Sequence, residues 1–310
     1  MTVVVGNGES PKNYKITSLA TYIQKIGYIN ARNHLTFRGL SDSDFPLVPS
    51  LDRKIKDNEP ARKWVEAEYK LVEFSEQRFP DSFVKHTPAL LIANMQHYGI
   101  PTRMMDVSGN ALVALYFACD NPEKDGQVIV FDEKIVSAYN PYANAIADTY
   151  RITQNSKTDM DTYRYHIYKQ EYFSSLEYPN WENIKNQDDS HNMELLKQPI
   201  VVDVGSLNQR QINQSGKFIL FPNEFYKDSK GKEYISNQLI KVRKDSKFIK
   251  AIISIPKEEK NRILEQLELV GITKDFLFPD NTEIVCNSIK QTIRNEMYYP
   301  SNKKIGTRIS

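Results

Sequence analysis

Leu19, Tyr22, Ile23 and Ile26 recur at helical spacing behind Thr17 and Ser18, and this predicts an amphipathic helix opening there. His34 to Gly39 reads as a short strand closed by glycine, and Phe45 to Ser50 as an extended, proline-bounded stretch leading to Arg53. A second helix is predicted from Ala61 to Phe79, with Trp64, Val65, Leu71, Val72 and Phe79 on its apolar stripe. Glu68 lies on that same stripe and is out of place there. Thr87, Pro88 and Gly99 punctuate a third helix as cap, first turn and stop. The run Ala111 to Ala118 is apolar all round, which predicts an interior helix capped by Ser108 or Asn110 and stopped at Asn121-Pro122. A buried strand over Gly126–Asp132 follows.

Residues 138–195 differ in character. They are dense in Asn, Asp, Gln and Tyr without clean periodicity, and read as an insertion or mobile lobe: a lid, a substrate-recognition lobe, a dimer contact or a disordered segment. Strands are predicted at Ile200–Val204, Lys217–Phe221 and Phe248–Ile255. A helix then carries Leu264, Leu267 and Val270 and ends at Gly271, and another runs from about Asn281 to Arg294. The first 15 residues read as a loose lead-in and residues 296–310 as a frayed tail. The expected fold class is α+β, a mixed sheet with flanking helices forming one domain over residues 16–295.

Composition narrows the class. The 310 residues carry 41 Lys and Arg against 39 Asp and Glu, a net charge of +2, which argues against a protein built mainly to coat nucleic acid or an anionic membrane. Apolar residues are only 40 % of the chain, but 18 Tyr and 14 Phe supply buriable surface. No run approaches a membrane span, and the N-terminus lacks the basic start and apolar stretch of a signal peptide. The two cysteines, Cys119 and Cys286, suggest neither a disulfide framework nor a zinc site, so a cytoplasmic protein is expected.

The densest candidate chemistry is Gln96-His97-Tyr98-Gly99-Ile100-Pro101-Thr102-Arg103-Met104-Met105-Asp106-Val107-Ser108. Arg103 and Asp106 need partners if buried: they either pair with each other or face a pocket opposite Arg38. Arg38, bracketed by Phe37 and Gly39, has the fork that suits phosphate or carboxylate. Glu68 is a salt-bridge partner for Arg38 or Arg53, or else a general base, with the salt bridge the favoured reading. His97 is a general base or, more in keeping with its place near a helix end, a core histidine. His34, His86, His166 and His191 show no metal spacing, and no metal is expected. Glycine-rich dinucleotide and phosphate loops and the Gly-x-Ser-x-Gly elbow are absent, so any cofactor must bind by another architecture.

Phe37-Arg38-Gly39, then Pro46-Leu47-Val48-Pro49-Ser50-Leu51-x-Arg53, resembles the start of the FRG domain family, named for that tripeptide. Gln96-His97-Tyr98-Gly99-x-Pro101-Thr102-Arg103-x-x-Asp106, followed by Ala114 to Ala118, resembles its most recognisable block. Arg210, Gln214-Ser215-Gly216-x-Phe218 and Gly271-Ile272 with Leu277 to Asp280 are similar to it as well. Met104-Met105 and Val107-Ser108 depart from the usual Leu-Leu and Trp-Thr. The resemblance implies a bacterial or phage-associated cytoplasmic protein, sometimes linked with defence or toxin systems.

A second likeness, of layout, is to the diphtheria-toxin-type ADP-ribosyltransferases. It implies NAD as substrate, with Arg38 clamping its phosphates, Thr102 and Ser108 supporting the pocket and Tyr116 stacking on the ring. Gln214 would stand where a late acidic residue belongs, although an amide cannot act as a general base. Arg38, His97, Arg103, Asp106 and Gln214 form the expected catalytic set. The alternatives are a non-catalytic recognition module for an unknown protein or nucleic-acid partner and, behind it, a metal-independent nuclease using His97 and Arg103.

Overall fold

The computed structural model describes residues 10–53, 64–83, 87–153, 158–174, 194–279 and 293–294. Its centre is an eight-stranded mixed sheet. In chain order the strands are β1 (Lys12–Lys15), β2 (Thr36–Leu40), β3 (Met104–Ser108), β4 (Gly126–Phe131), β5 (Ile135–Ser137), β7 (Ile200–Asp203), β8 (Gly216–Leu220) and β11 (Ala251–Ile255). They lie side by side as β1-β11-β4-β2-β3-β8-β7-β5, antiparallel except at the two edges, where β1 runs parallel to β11 and β5 to β7. A small second sheet holds β6 (Thr158–Asp159), β9 (Asn223–Lys227) and β10 (Glu233–Leu239), in the order β6-β10-β9. The α+β class with a mixed sheet and flanking helices is the fold observed.

The large sheet cannot be flat. Three residues join the end of β4 to the start of β5, yet four strands separate the two in the sheet. Four peptide steps reach about 14 Å, whereas five strand spacings across a flat sheet span about 24 Å. The sheet therefore curls, bringing β5 back beside the β2–β4 end. The Asp132 carboxylate fixes the join by accepting the backbone amides of Arg32 and Asn33 at 2.8–3.1 Å.

Helices cover both faces. On one, α1 (Leu19–Gly27), α5 (Ala111–Cys119) and α10 (Lys260–Leu269) bury Tyr22, Val113, Leu115 and Ile263 against Phe37, Val128, Val130 and Ile253. Inside the curl, Leu71 and Val72 of α2 (Glu68–Arg78) and Met95 of α4 (Pro88–His97) pack with Val107, Ile129, Phe131 and Ile219. A third core joins α4, α6 (Pro141–Asp148) and α7 (Met160–Tyr168) to Met104, Phe218 and Leu220. The short helices are α3 (Pro80–Phe83), α8 (Glu171–Ser174), α9 (Gln209–Asn213) and α11 (Lys274–Leu277).

The helix signals translate into caps. Ser18 caps α1 in a reciprocal pair with Thr21, and Asn110 rather than Ser108 caps α5, its side chain accepting the Leu112 amide. Pro88 opens α4, and Gly99 beyond its end takes the left-handed φ of 76°. Thr87 holds the cap position of α4, but its buried hydroxyl makes no hydrogen bond among the described residues.

Two expectations are corrected. The lead-in is not loose over Lys12–Lys15, which pairs with Ala251–Ser254 as an edge strand. The polar 138–195 stretch is not a loose lobe over its described residues. Helix α6 buries Ala143, Ala145, Ile146 and Ala147 completely, and its polar residues are satisfied inside the fold. Asn144 accepts the Ala89 amide at 3.0 Å and donates to the Ala138 carbonyl at 2.9 Å. Asp148, almost fully buried, receives Arg151 at 2.6 Å and His166 at 3.1 Å. Small side chains and internally paired polar ones blurred the periodicity. The predicted helix at 281–294 and the tail fall, apart from residues 293–294, outside the described residues.

Candidate functional site

Strands β2 and β3 are neighbours yet register at one pair only, Phe37 with Ser108. Beyond it, toward Leu40 and Met105, they part. Alternation along β2 sends Phe37 and Gly39 toward α5 and Arg38 to the opposite face, beside Ile129. Phe37 is a buried anchor. Gly39 lets α5 lie directly on the strand, because a Cβ there would stand 2.1 Å from the Ala114 carbonyl oxygen and 2.8 Å from the Ala118 nitrogen. Arg38 fills the parted seam: its Nη1 donates to the Asp106 carbonyl at 2.6 Å and lies 3.7 Å from the Asp106 carboxylate.

A polar cluster grows from that contact. Gln96, at the end of α4, donates from Nε2 to Asp106 Oδ2 at 3.0 Å, while its Oε1 accepts the Thr102 hydroxyl at 2.7 Å and the Ser50 hydroxyl at 3.4 Å. Thr102 Oγ1 also accepts the Met104 amide at 3.1 Å, so Thr102 orders the entry to β3. The Asp106 side chain is 61 % exposed and that of Arg38 23 %. The Nε of Arg38 is buried and has no hydrogen-bond partner among the described residues. Burial pulls the Arg38 guanidinium below its ordinary value; the Asp106 charge opposes this, and the like charge of Arg53 adds to it. Arg38 thus stands between an exposed carboxylate and a second cation, Arg53, with one guanidinium N–H unspent. That arrangement favours an anionic ligand with planar oxygens.

The other expected residues are distributed differently. Arg103 is fully buried and belongs to the scaffold: Nε and Nη2 grip both oxygens of Glu68 at 2.7 and 2.6 Å, and Nη1 donates at 2.8 Å to the Ile146 carbonyl and to Asn223 Oδ1. It pairs neither with Asp106 nor with a pocket. Glu68 is indeed a salt-bridge residue, with Arg103 as its partner in place of Arg38 or Arg53.

His97 is half-buried and ties α4 to α9 by accepting, at Nδ1, the amide of Asn208 at 2.9 Å. That bond assigns the proton of the neutral ring to Nε2. Ser108 is buried, and its hydroxyl donates at 2.6 Å to the backbone carbonyl of Gln214. Ser108 and the Gln214 backbone thus meet beside the Phe37–Ser108 pair. The Gln214 side chain, however, turns away and donates to the Leu277 carbonyl at 2.9 Å. Tyr116 packs half-buried against the core on the α5 side, edge-on to Phe117, across β2 from where Arg38 departs.

Sequence reasoning named Gln96 and Arg53 without placing either at the site. A glutamine three residues before a helix-terminating glycine and six before Thr102 can reach both a following strand and its entry, and that spacing was the available signal. Among the described residues no group of His, Cys, Asp and Glu could hold a metal ion, and no helix is long and apolar enough to cross a membrane.

Residues 33–127, which contain the tripeptide, the Gln96–Asp106 block and α5, match the family model of the FRG domain. Neither a curated protein nor a solved structure matches the chain.

Proposed function

We propose that this chain, whose residues 33–127 form an FRG domain, is an NAD-consuming, ADP-ribosyltransferase-like enzyme in a bacterial defence or toxin system, with its centre at the β2–β3 seam. The observation that carries this reading is the buried, unspent N–H of Arg38 beside Arg53 and the exposed Asp106. Arg38 and Arg53 hold the diphosphate. Asp106 replaces Gln214 in the acidic role, since the Gln214 amide is engaged with Leu277 and cannot take a proton.

In the reaction the bond between ribose C1′ and the nicotinamide nitrogen breaks, and its electron pair leaves with neutral nicotinamide. The Asp106 carboxylate stabilises the cationic ribose that remains. A water or acceptor hydroxyl then bonds to C1′, and its proton passes to Asp106. The test is nicotinamide release and thermal shift with NAD, comparing the wild type with Arg38→Ala and Asp106→Asn. Release should fall by about 100-fold or more in each variant with melting temperatures nearly unchanged.

One observation favours a second reading. His97, Ser108, Gln214 and Arg103 all spend polar atoms inside the fold, as a recognition module for a protein or nucleic-acid partner would tolerate. A folded protein that neither binds NAD nor releases nicotinamide would make that module the leading interpretation.

A further inference from the structure

The curl of the sheet makes a second opening, on the other side of the Phe37–Ser108 bridge from Arg38. It is a cleft of about 670 Å³ whose walls include Asn33, His34, Leu35, Ile135, Asp203 and Lys217. Through Asn33, His34 and Ile135 it continues into an outer basin of about 470 Å³, walled also by Arg32 and Lys134. Each volume lies in the range of small-molecule sites, roughly 300–1,000 Å³.

The chemistry changes from inside to outside. The inner cleft is charge-balanced, because Lys217 is paired with Asp203, and Leu35 and Ile135 give it apolar walls. The outer basin is cationic: Arg32 and Lys134 line it, with no carboxylate among the lining residues. Asp132, beneath, is engaged with the Arg32 and Asn33 amides and lies 3.5 Å from Lys250. A charge-balanced cleft with two apolar walls, opening onto a cationic rim, matches a flat heterocycle that carries a phosphate.

We infer that this cleft binds a nucleoside phosphate, its base between Leu35 and Ile135 and its phosphate on Arg32 and Lys134. The site is independent of the NAD reading at Arg38. The test is calorimetric titration of the full chain at low salt with AMP, adenosine and inorganic phosphate, on the wild type, Arg32→Glu/Lys134→Glu and Arg38→Ala. Arg32 and Lys134 are exposed, so the double variant should keep its fold, which its melting curve checks. AMP should bind more tightly than either adenosine or phosphate alone, weaken at least 10-fold in the double variant, and bind Arg38→Ala as it binds the wild type.

Phosphate binding as tightly as AMP would overturn the nucleoside assignment. No binding to the folded wild type, or affinity unchanged in the double variant, would overturn the site. Affinity lost in Arg38→Ala but kept in the double variant would place the nucleotide at the seam instead, overturning this inference while leaving the NAD reading intact.

Discussion

Arg103 and Glu68 meet as a bidentate pair, at 2.7 and 2.6 Å, with the guanidinium wholly shielded from water. The pair links the strand that carries Asp106 to α2, and through Ile146 and Asn223 to α6 and β9. Removing one partner leaves the other charge buried alone. Glu68→Ala should therefore cost about 3–5 kcal/mol in urea-melt stability. Replacing both by apolar residues of similar size, Glu68→Leu with Arg103→Met, should recover only part of that loss, because the Ile146 carbonyl and Asn223 Oδ1 then lose their donor. A Glu68→Ala protein as stable as the wild type would refute the scaffold role.

Gly39 makes a comparably sharp prediction about the tripeptide. A Cβ there would meet backbone atoms of α5 at 2.1 and 2.8 Å, and backbone does not step aside as a flexible side chain would. Gly39→Ala should destabilise by about 3 kcal/mol or more, at or above the upper end of ordinary overpacking. Gly27, at the end of α1 with nothing within 4 Å of its would-be Cβ, is the control. Gly27→Ala should leave stability unchanged or raise it by about 0.5–1 kcal/mol. Thermal melts of the two variants, read side by side, separate close approach from a general intolerance of alanine.

The pH dependence of stability should carry the mark of Glu133. Burial, aided by the negative charge of Asp132, pushes its carboxyl up to about 7. The folded state therefore holds a proton that the unfolded chain releases near the ordinary glutamate value. Stability from this group is full at low pH, declines as pH rises through that window, and is lowest above 7. Glu133→Gln should thus melt at the same temperature as the wild type near pH 4.5 and several degrees higher at pH 8. An equal difference at both pH values would mean that the carboxyl ionises in the fold as freely as in water.

Much of this fold was legible where one physical signal dominates. Periodicity and caps located α1, α4 and α5, and the continuous apolar runs located β4, β7 and β8. What hid was everything decided by distant partners. Glu68 on an apolar stripe announced an ion pair, but only the fold could supply Arg103, 35 residues away, in place of Arg38. Arg103 and Asp106 lie three residues apart and share one motif, yet one is sealed in the core and the other faces water. The strand's alternation permits that separation, but the motif alone does not say which residue goes in. Helix α6 escaped notice because Asn144 and Asp148 are polar and yet buried, satisfied by Ala89, Ala138, Arg151 and His166. The curl of the sheet was invisible for a different reason: it follows from strand order, which local pattern does not encode.

Cys119 offers a test of the α5 core that needs no knowledge of activity. It sits at the end of α5, buried, with its thiol pushed up to about 12 by burial against the opposing charge of Lys260. Lys260 is itself buried and is held by the carbonyls of Ser41 and Asn121 at 2.8 and 2.7 Å. Only the thiolate attacks a disulfide reagent. At pH 8 its fraction in the fold is about a thousandfold below that of a free thiol, by the difference in pKa alone, and burial blocks access as well. In a Cys286→Ser chain, an aromatic disulfide reagent should therefore label nothing in the native protein, and one thiol once guanidinium unfolds it. Replacing Lys260 with Met removes the cation and leaves two backbone carbonyls without their donor, which should loosen the α5–α10 contact. Native-state labelling of Cys119 should then accelerate in step with the loss of stability. Fast labelling of the otherwise unaltered Cys286→Ser protein would mean that α5 is not the interior helix described above.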